Sequence, residues 1–117
     1  MIKLHYFKDK LGKYRIRIRC VENGKQVGRC TRLFSSVREM RTVLDLVLAS
    51  EGMEWGYRDL FSGRDEQWYW RLKEHAHLTF VGGEGYWNKG DCKGTMNTVK
   101  DNLVESYKKY GITKDKG

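Results

Sequence analysis

The feature that most constrains this chain is that it repeats itself. Ile16-Arg17-Ile18-Arg19 is matched 54 residues later by Trp70-Arg71-Leu72-Lys73. Phe34 is matched by Tyr86, and Leu44 and Val47 by Met96 and Val99, each 52 residues later. The change of offset gives the first copy a turn two residues longer, and insertions belong in turns. A chain of 117 residues holding two such copies has room for one domain with a modest core.

Each copy has a readable order of elements. Residues 2–8 alternate Ile2, Leu4 and Tyr6 against Lys3, His5 and Lys8, with Phe7 out of pattern. That is strand periodicity. Asp9-Lys10-Leu11-Gly12 signals a turn. Tyr14-Arg15-Ile16-Arg17-Ile18-Arg19 alternates strictly and is the clearest strand. Asn23-Gly24 is a hairpin cue, and residues 25–34 resume as a third strand. Ser36-Val37-Arg38-Glu39 has the form of a capping box, followed by Met40, Val43, Leu44, Val47 and Leu48 on one helical face, with Gly52 a natural stop. In the second copy, strands are expected over residues 68–73 and 77–81. A helix capped by Asn88 then carries Cys92, Met96, Val99 and Leu103 at helical spacing. Gly90 and Gly94 weaken its start, and Gly111 ends it. Residues 51–65 read as a connector with a short element around Trp55 to Phe61, and the last six residues as a polar tail.

Composition narrows the class. No run is apolar enough to span a membrane, and the first residues lack a signal-peptide pattern. The three cysteines, Cys20, Cys30 and Cys92, are odd in number and form no C-x-x-C pair, which argues for reduced, mostly buried thiols. The net charge of +8 is uneven: residues 1–50 hold 12 Lys and Arg against 4 Asp and Glu, whereas the remainder balances. Such asymmetry suits a face meeting phosphates or an acidic surface, and equally a general solubility charge.

At this level of detail the sequence resembles the YegP-like tandem-repeat family of unknown function. The resemblance rests on Lys8-Asp9-Lys10, Gly12-Lys13-Tyr14-Arg15-Ile16-Arg17-Ile18 and Asn23-Gly24-Lys25 in the first half. In the second it rests on Trp70-Arg71-Leu72-Lys73, Gly83-Glu84-Gly85-Tyr86 and Val99-Lys100. It covers about residues 3–48 and 68–104 and is stronger in the second half. The first half reads Thr31-Arg32-Leu33-Phe34 where the second has Gly-Glu-Gly-Tyr, and Glu74-His75-Ala76-His77 stands where a second Asn-Gly turn is usual. The resemblance implies two β-β-β-α units in a single antiparallel sheet with helices on one face. It also implies a small bacterial, archaeal or phage-borne protein, and supplies no catalytic residues.

The residues that bear chemistry are mostly cationic and aromatic. Arg15, Arg17 and Arg19 alternate along a strand and share one face, rooted roughly 6.6 Å apart, close to the spacing of phosphates along a nucleic-acid strand. The repeat puts Tyr69, Arg71 and Lys73 on the same face, and Arg29 and Arg32 are expected to extend it. Guanidiniums bind phosphate bidentately and tyrosine stacks on bases. The plain alternative is a solvated strand face with arginine stems over apolar surface. Trp55, Tyr57 and Trp87 have no evident apolar partners; they form either a contact patch for a protein or a cover for the sheet ends. His75 and His77, with Cys92, give a weak metal-ligand spacing without a fourth ligand. Glu84, between glycines, reads as a general base or a turn carboxylate near a helix start.

The expectation is therefore an α+β protein of pseudo-twofold tandem repeats, one domain over residues 1–117. Repeat one covers about residues 1–52, a connector 53–65, repeat two 66–111 and a polar tail 112–117. It is expected to be a cytoplasmic, non-enzymatic binding protein of a bacterial or phage-infected cell, a monomer or homodimer, with no cofactor, metal or membrane partner. Its partner is nucleic acid or a nucleoprotein complex. The alternatives are a phage or mobile-element protein inhibiting an acidic or nucleic-acid-binding host protein and, remotely, a metal-dependent nuclease.

Overall fold

A computed structural model describes residues 1–49, 57–74 and 78–116. Strands β1 (Ile2–Lys8), β2 (Tyr14–Cys20) and β3 (Gln26–Cys30) precede helix α1 (Val37–Leu48). Strands β4 (Tyr57–Ser62), β5 (Trp68–Lys73) and β6 (Thr79–Gly82) precede helix α2 (Lys89–Tyr110), and a last strand, β7 (Ile112–Lys114), follows it. All seven strands form one sheet in the order β4-β5-β6-β3-β2-β1-β7. The α+β tandem-repeat architecture is as the sequence implies. The sheet is mixed, not wholly antiparallel, because β7 runs parallel to β1. Two regions hold more than the sequence suggested: the connector carries the full strand β4, and the polar tail carries β7.

The repeat is visible in backbone hydrogen bonds. Tyr14 and Phe34 exchange N–H···O bonds of 2.8 and 3.0 Å, and Trp68 and Tyr86 exchange the equivalent pair at 2.6 and 2.9 Å. Each bridge pins the segment entering a helix to the start of a strand. The turns after β1 and β4 also correspond. Gly12 at φ 80° and Glu66 at φ 64° occupy the same left-handed position, which glycine adopts freely and glutamate does not. A bulge between Ile18 and Arg19 opposite β3 absorbs part of the longer first hairpin.

Alternation decides the faces. Ile2, Leu4, Ile16, Ile18, Trp70, Leu72 and Phe80 are buried together with Met40, Leu44, Val47 and Leu48 of α1 and Cys92, Met96, Val99 and Leu103 of α2. Both helices therefore sit on one face, as expected. Ser36 caps α1, its Oγ accepting from Glu39 N (3.0 Å), while Glu39 Oε2 accepts from Ser35 N (2.7 Å), one residue before the cap. Asn88 caps α2 by accepting from Asp91 N at 3.2 Å. No helix among the described residues is long and apolar enough to cross a membrane.

The halves meet where β3 pairs with β6, through Gly28↔Gly82, Arg29↔Val81 and Cys30↔Phe80. The fully buried Trp70 indole lies over the glycine pair. A Cβ on Gly28 would stand 2.9 Å from the indole and 2.9 Å from Val81 O, and one on Gly82 would stand 2.6 Å from Trp70 Nε1. Gly82→Ala is expected to destabilise the protein by about 1–3 kcal/mol through overpacking. In urea unfolding, the midpoint falls while the slope is unchanged.

Candidate functional site

The face opposite the helices bears the arginines. A register row crosses the whole sheet: Thr113, His5, Arg17, Arg29, Val81, Arg71 and Asp59 stand opposite one another on successive strands. Directly opposed residues share a face, so this row lies on the uncovered side with Arg15, Arg19, Tyr69 and Lys73. The repeat runs through it. Arg17 corresponds to Arg71, Arg29 to Val81 and His5 to Asp59, and the pseudo-twofold axis passes between Arg29 and Val81.

Two aromatic rings support the arginines. The Arg17 guanidinium lies 3.8 Å from the Phe7 ring centroid, and Arg71 lies 5.5 Å from that of Phe61, the repeat equivalent of Phe7. Phe61 also stacks on Tyr69, with centroids 5.8 Å apart and planes at 21°. Tyr69 Oη donates to Asp65 Oδ2 at 2.5 Å, which raises the phenol's pKa above its ordinary value.

Most of the stripe is ion-paired. Arg15 Nε donates to Asp9 Oδ2 (2.8 Å). Arg17 Nη1 donates to Asp115 Oδ2 (2.9 Å). Arg19 grips the same carboxylate twice, Nε to Oδ1 at 3.2 Å and Nη2 to Oδ2 at 3.0 Å, while its Nη1 reaches Gly24 O at 2.8 Å. Arg71 Nη2 meets Asp59 Oδ2 at 3.1 Å. The outward orientation of Arg15, Arg17 and Arg19 agrees with the strand pattern; their carboxylate partners were not anticipated. The Asp115 side chain is nine-tenths buried against Arg17 and Arg19, and the residue is anchored by its own N–H, which donates to Tyr6 O at 2.7 Å. Arg29 differs from the others. It is exposed, stands directly opposite Arg17, and has no carboxylate partner among the described residues.

Other expected residues fall elsewhere. Arg32 does not extend the face; it follows β3 in the loop to α1, 3.7 Å from Glu39 and 5.2 Å from the Phe34 ring centroid. Lys73 is exposed on the open face, opposite Thr79. Trp87 is 75 % exposed just before α2. Tyr57 opens β4 opposite Lys73, while Trp55, His75, His77 and the Tyr57 side chain lie outside the described residues. Cys92, their proposed co-ligand, is buried in the core. Glu84 is a turn carboxylate bound to Lys25 at 2.8 Å. All three cysteines are free thiols, and burial pushes that of Cys30 up to about 11. Sequence reasoning missed Phe7, Asp9, Asp59, Phe61 and Asp115. The signal for Phe7 was present: an apolar residue breaking the alternation of β1.

Two β-β-β-α units joined edge to edge, with all helices on one side, define the class: a tandem-repeat α+β protein with a bare cationic and aromatic sheet face. Residues 64–106 match the family described as Domain of unknown function (DUF1508). The fold is shared with a UPF0339 protein of Shewanella oneidensis (TM-score 0.68, 13% identity, 97% of this chain and 90% of that one). It is shared equally with the protein of unknown function yegP from E. coli (TM-score 0.67, 14% identity, 98% and 92%). The chain thus has a YegP-like fold over its length, and its second repeat matches the DUF1508 family in sequence. No curated protein matches it in sequence.

The Asp115 clamp is pH-sensitive. The Arg19 guanidinium, followed by Arg17, holds the Asp115 carboxyl below its ordinary value. A folded-state pKa below the unfolded one contributes stability above about pH 3.9 that is lost as pH falls through the lower folded value. His5, opposite Thr113 and 3.2 Å from its hydroxyl, is lowered chiefly by burial, so its protonation below about pH 6.5 also opposes the fold. Amide protection factors at Thr113 and Asp115, taken relative to the intrinsic exchange rate at each pH, are expected to fall on acidification. Asp115→Asn should remove the more acidic part of that response and cost about 1–2 kcal/mol at neutral pH.

Proposed function

We propose that this is a non-enzymatic binding protein whose uncovered sheet face takes a single-stranded nucleic acid, free or within a nucleoprotein complex. The observation that carries the reading is Arg29. Like charges directly opposite on neighbouring strands destabilise a sheet, and stability alone gives no reason to set an unpaired guanidinium against Arg17 at the centre of the face. Departures from local rules concentrate at functional sites.

The surroundings fit such a ligand. Phe61 and Tyr69 supply ring faces, and stacking on aromatics tolerates any base. Arg29 and Lys73 supply phosphate contacts. Arg17 and Arg71, held on rings and carboxylates, are pre-oriented planar cations on which bases also stack. The carboxylates limit the net charge of the face, so the electrostatic contribution is modest and rests on the unpaired cations.

A second reading, a phage or mobile-element protein that grips a host protein, is favoured by Trp87, whose large ring is exposed in the segment just before α2. The two separate cleanly. Calorimetric titration with a short single strand should show affinity falling with salt, and Arg29→Gln should lower both the affinity and the salt slope, the latter by about 0.7 for one lost phosphate contact. Unchanged binding in Arg29→Gln excludes the nucleic-acid reading as stated. Capture of one protein that survives nuclease and high salt, and is lost with Trp87→Ala, selects the second.

A further inference from the structure

The open face is not uniformly flat. A pit of about 140 Å³ is lined by Arg15, Arg17, Arg29 and Gln26, with Phe7, Ile16 and Cys30 as its apolar part. Its guanidinium lining suits a small, multiply charged anion such as a phosphate group. Three guanidiniums surround it. Arg15 and Arg17 are two residues apart on β2, and Arg29 faces Arg17 from β3. Each keeps donors in hand: Arg15 commits Nε to Asp9, Arg17 commits Nη1 to Asp115, and Arg29 commits none to a carboxylate.

Asp9 and Asp115 hold two of these pit-lining cations in place through one donor atom each. Arg17 is further fixed by Phe7 beneath it. Immobilised donors lose less entropy on binding than free side chains. Four guanidiniums, Arg15, Arg17, Arg19 and Arg29, against the two carboxylates leave two positive charges uncompensated. The equivalent region of the second repeat has Tyr69 for Arg15 and Val81 for Arg29, so it lacks two of the three guanidiniums.

We infer that this pit is a seat for a terminal phosphate, an unesterified phosphomonoester with three free oxygens and close to two negative charges. An internal phosphodiester offers only two free oxygens and a single charge, so it contacts Arg29 but matches three guanidiniums less fully than an end phosphate does. The inference rests on the nucleic-acid reading for the source of the phosphate, but the seat itself does not.

The test is calorimetric titration with one single-stranded oligonucleotide in three forms: 5′-phosphorylated, 3′-phosphorylated and unphosphorylated. Inorganic phosphate, followed through arginine side-chain NMR signals, is the small-molecule arm. One end phosphate should tighten binding about tenfold, equivalent to about 1.4 kcal/mol. Arg29→Gln should abolish that gain, whereas Arg71→Gln should weaken all three forms and preserve it. Equal binding of the three forms, with no phosphate-induced shifts at Arg15, Arg17 or Arg29, overturns the seat while leaving the strand-binding face standing. Phosphate shifts at those arginines without binding of any oligonucleotide sustain the seat and overturn the strand reading. Silence in every arm overturns both.

Discussion

The structure depends on one contact at its middle, the Trp70 indole lying across Gly28 and Gly82. Two three-stranded units must share one sheet, and the shared pair, β3 with β6, has to admit the largest side chain of the core beside it. Removing both Cβ atoms at that point gives the ring a bed. With the ring seated, Ile18, Leu72 and Phe80 close around it under the helices as one apolar layer rather than two. Everything on the opposite face inherits its position from that seam. The register that opposes Gly28 to Gly82 also opposes Arg29 to Val81 and lines up the row from Thr113 to Asp59.

Much of this was legible because it is periodic. Arg15, Arg17 and Arg19 had to face away from Ile16 and Ile18, and they do. Ser36 and Asn88 announced the helix starts. The repeat placed Arg71 with Arg17. What was not legible depended on distant partners. Nothing local in Ile-Thr-Lys-Asp marks a strand: β7 is three residues long, too short for periodicity, and exists because Ile112 finds the core and Asp115 finds two arginines nearly a hundred residues away. β4 was concealed in the same way, because Tyr-Arg-Asp-Leu-Phe-Ser places Asp59 and Phe61 on the open face, where their value lies in Arg71 and Tyr69.

The carboxylates change the meaning of the arginine stripe. Read alone, three alternating arginines suggest a strip of bare charge. With Asp9 and Asp115 in place, they become a scaffold, the Arg17 guanidinium fixed over Phe7, while Arg29 on the next strand has no carboxylate partner among the described residues. Specificity in such a surface comes from orientation more than from field strength.

The two halves also differ in when their charges are satisfied. Arg71 finds Asp59 twelve residues away, within a single hairpin, whereas Arg17 reaches across 98 residues to Asp115. Closing the shorter loop is entropically easier and faster. On a ribosome the difference is absolute: the N-terminal unit emerges with Arg17 and Arg19 lacking their counter-ion, which is not yet synthesised. The codon for Asp115 therefore governs the electrostatics of the first strands, and a nascent chain that has not reached it is more cationic on that surface than the folded protein.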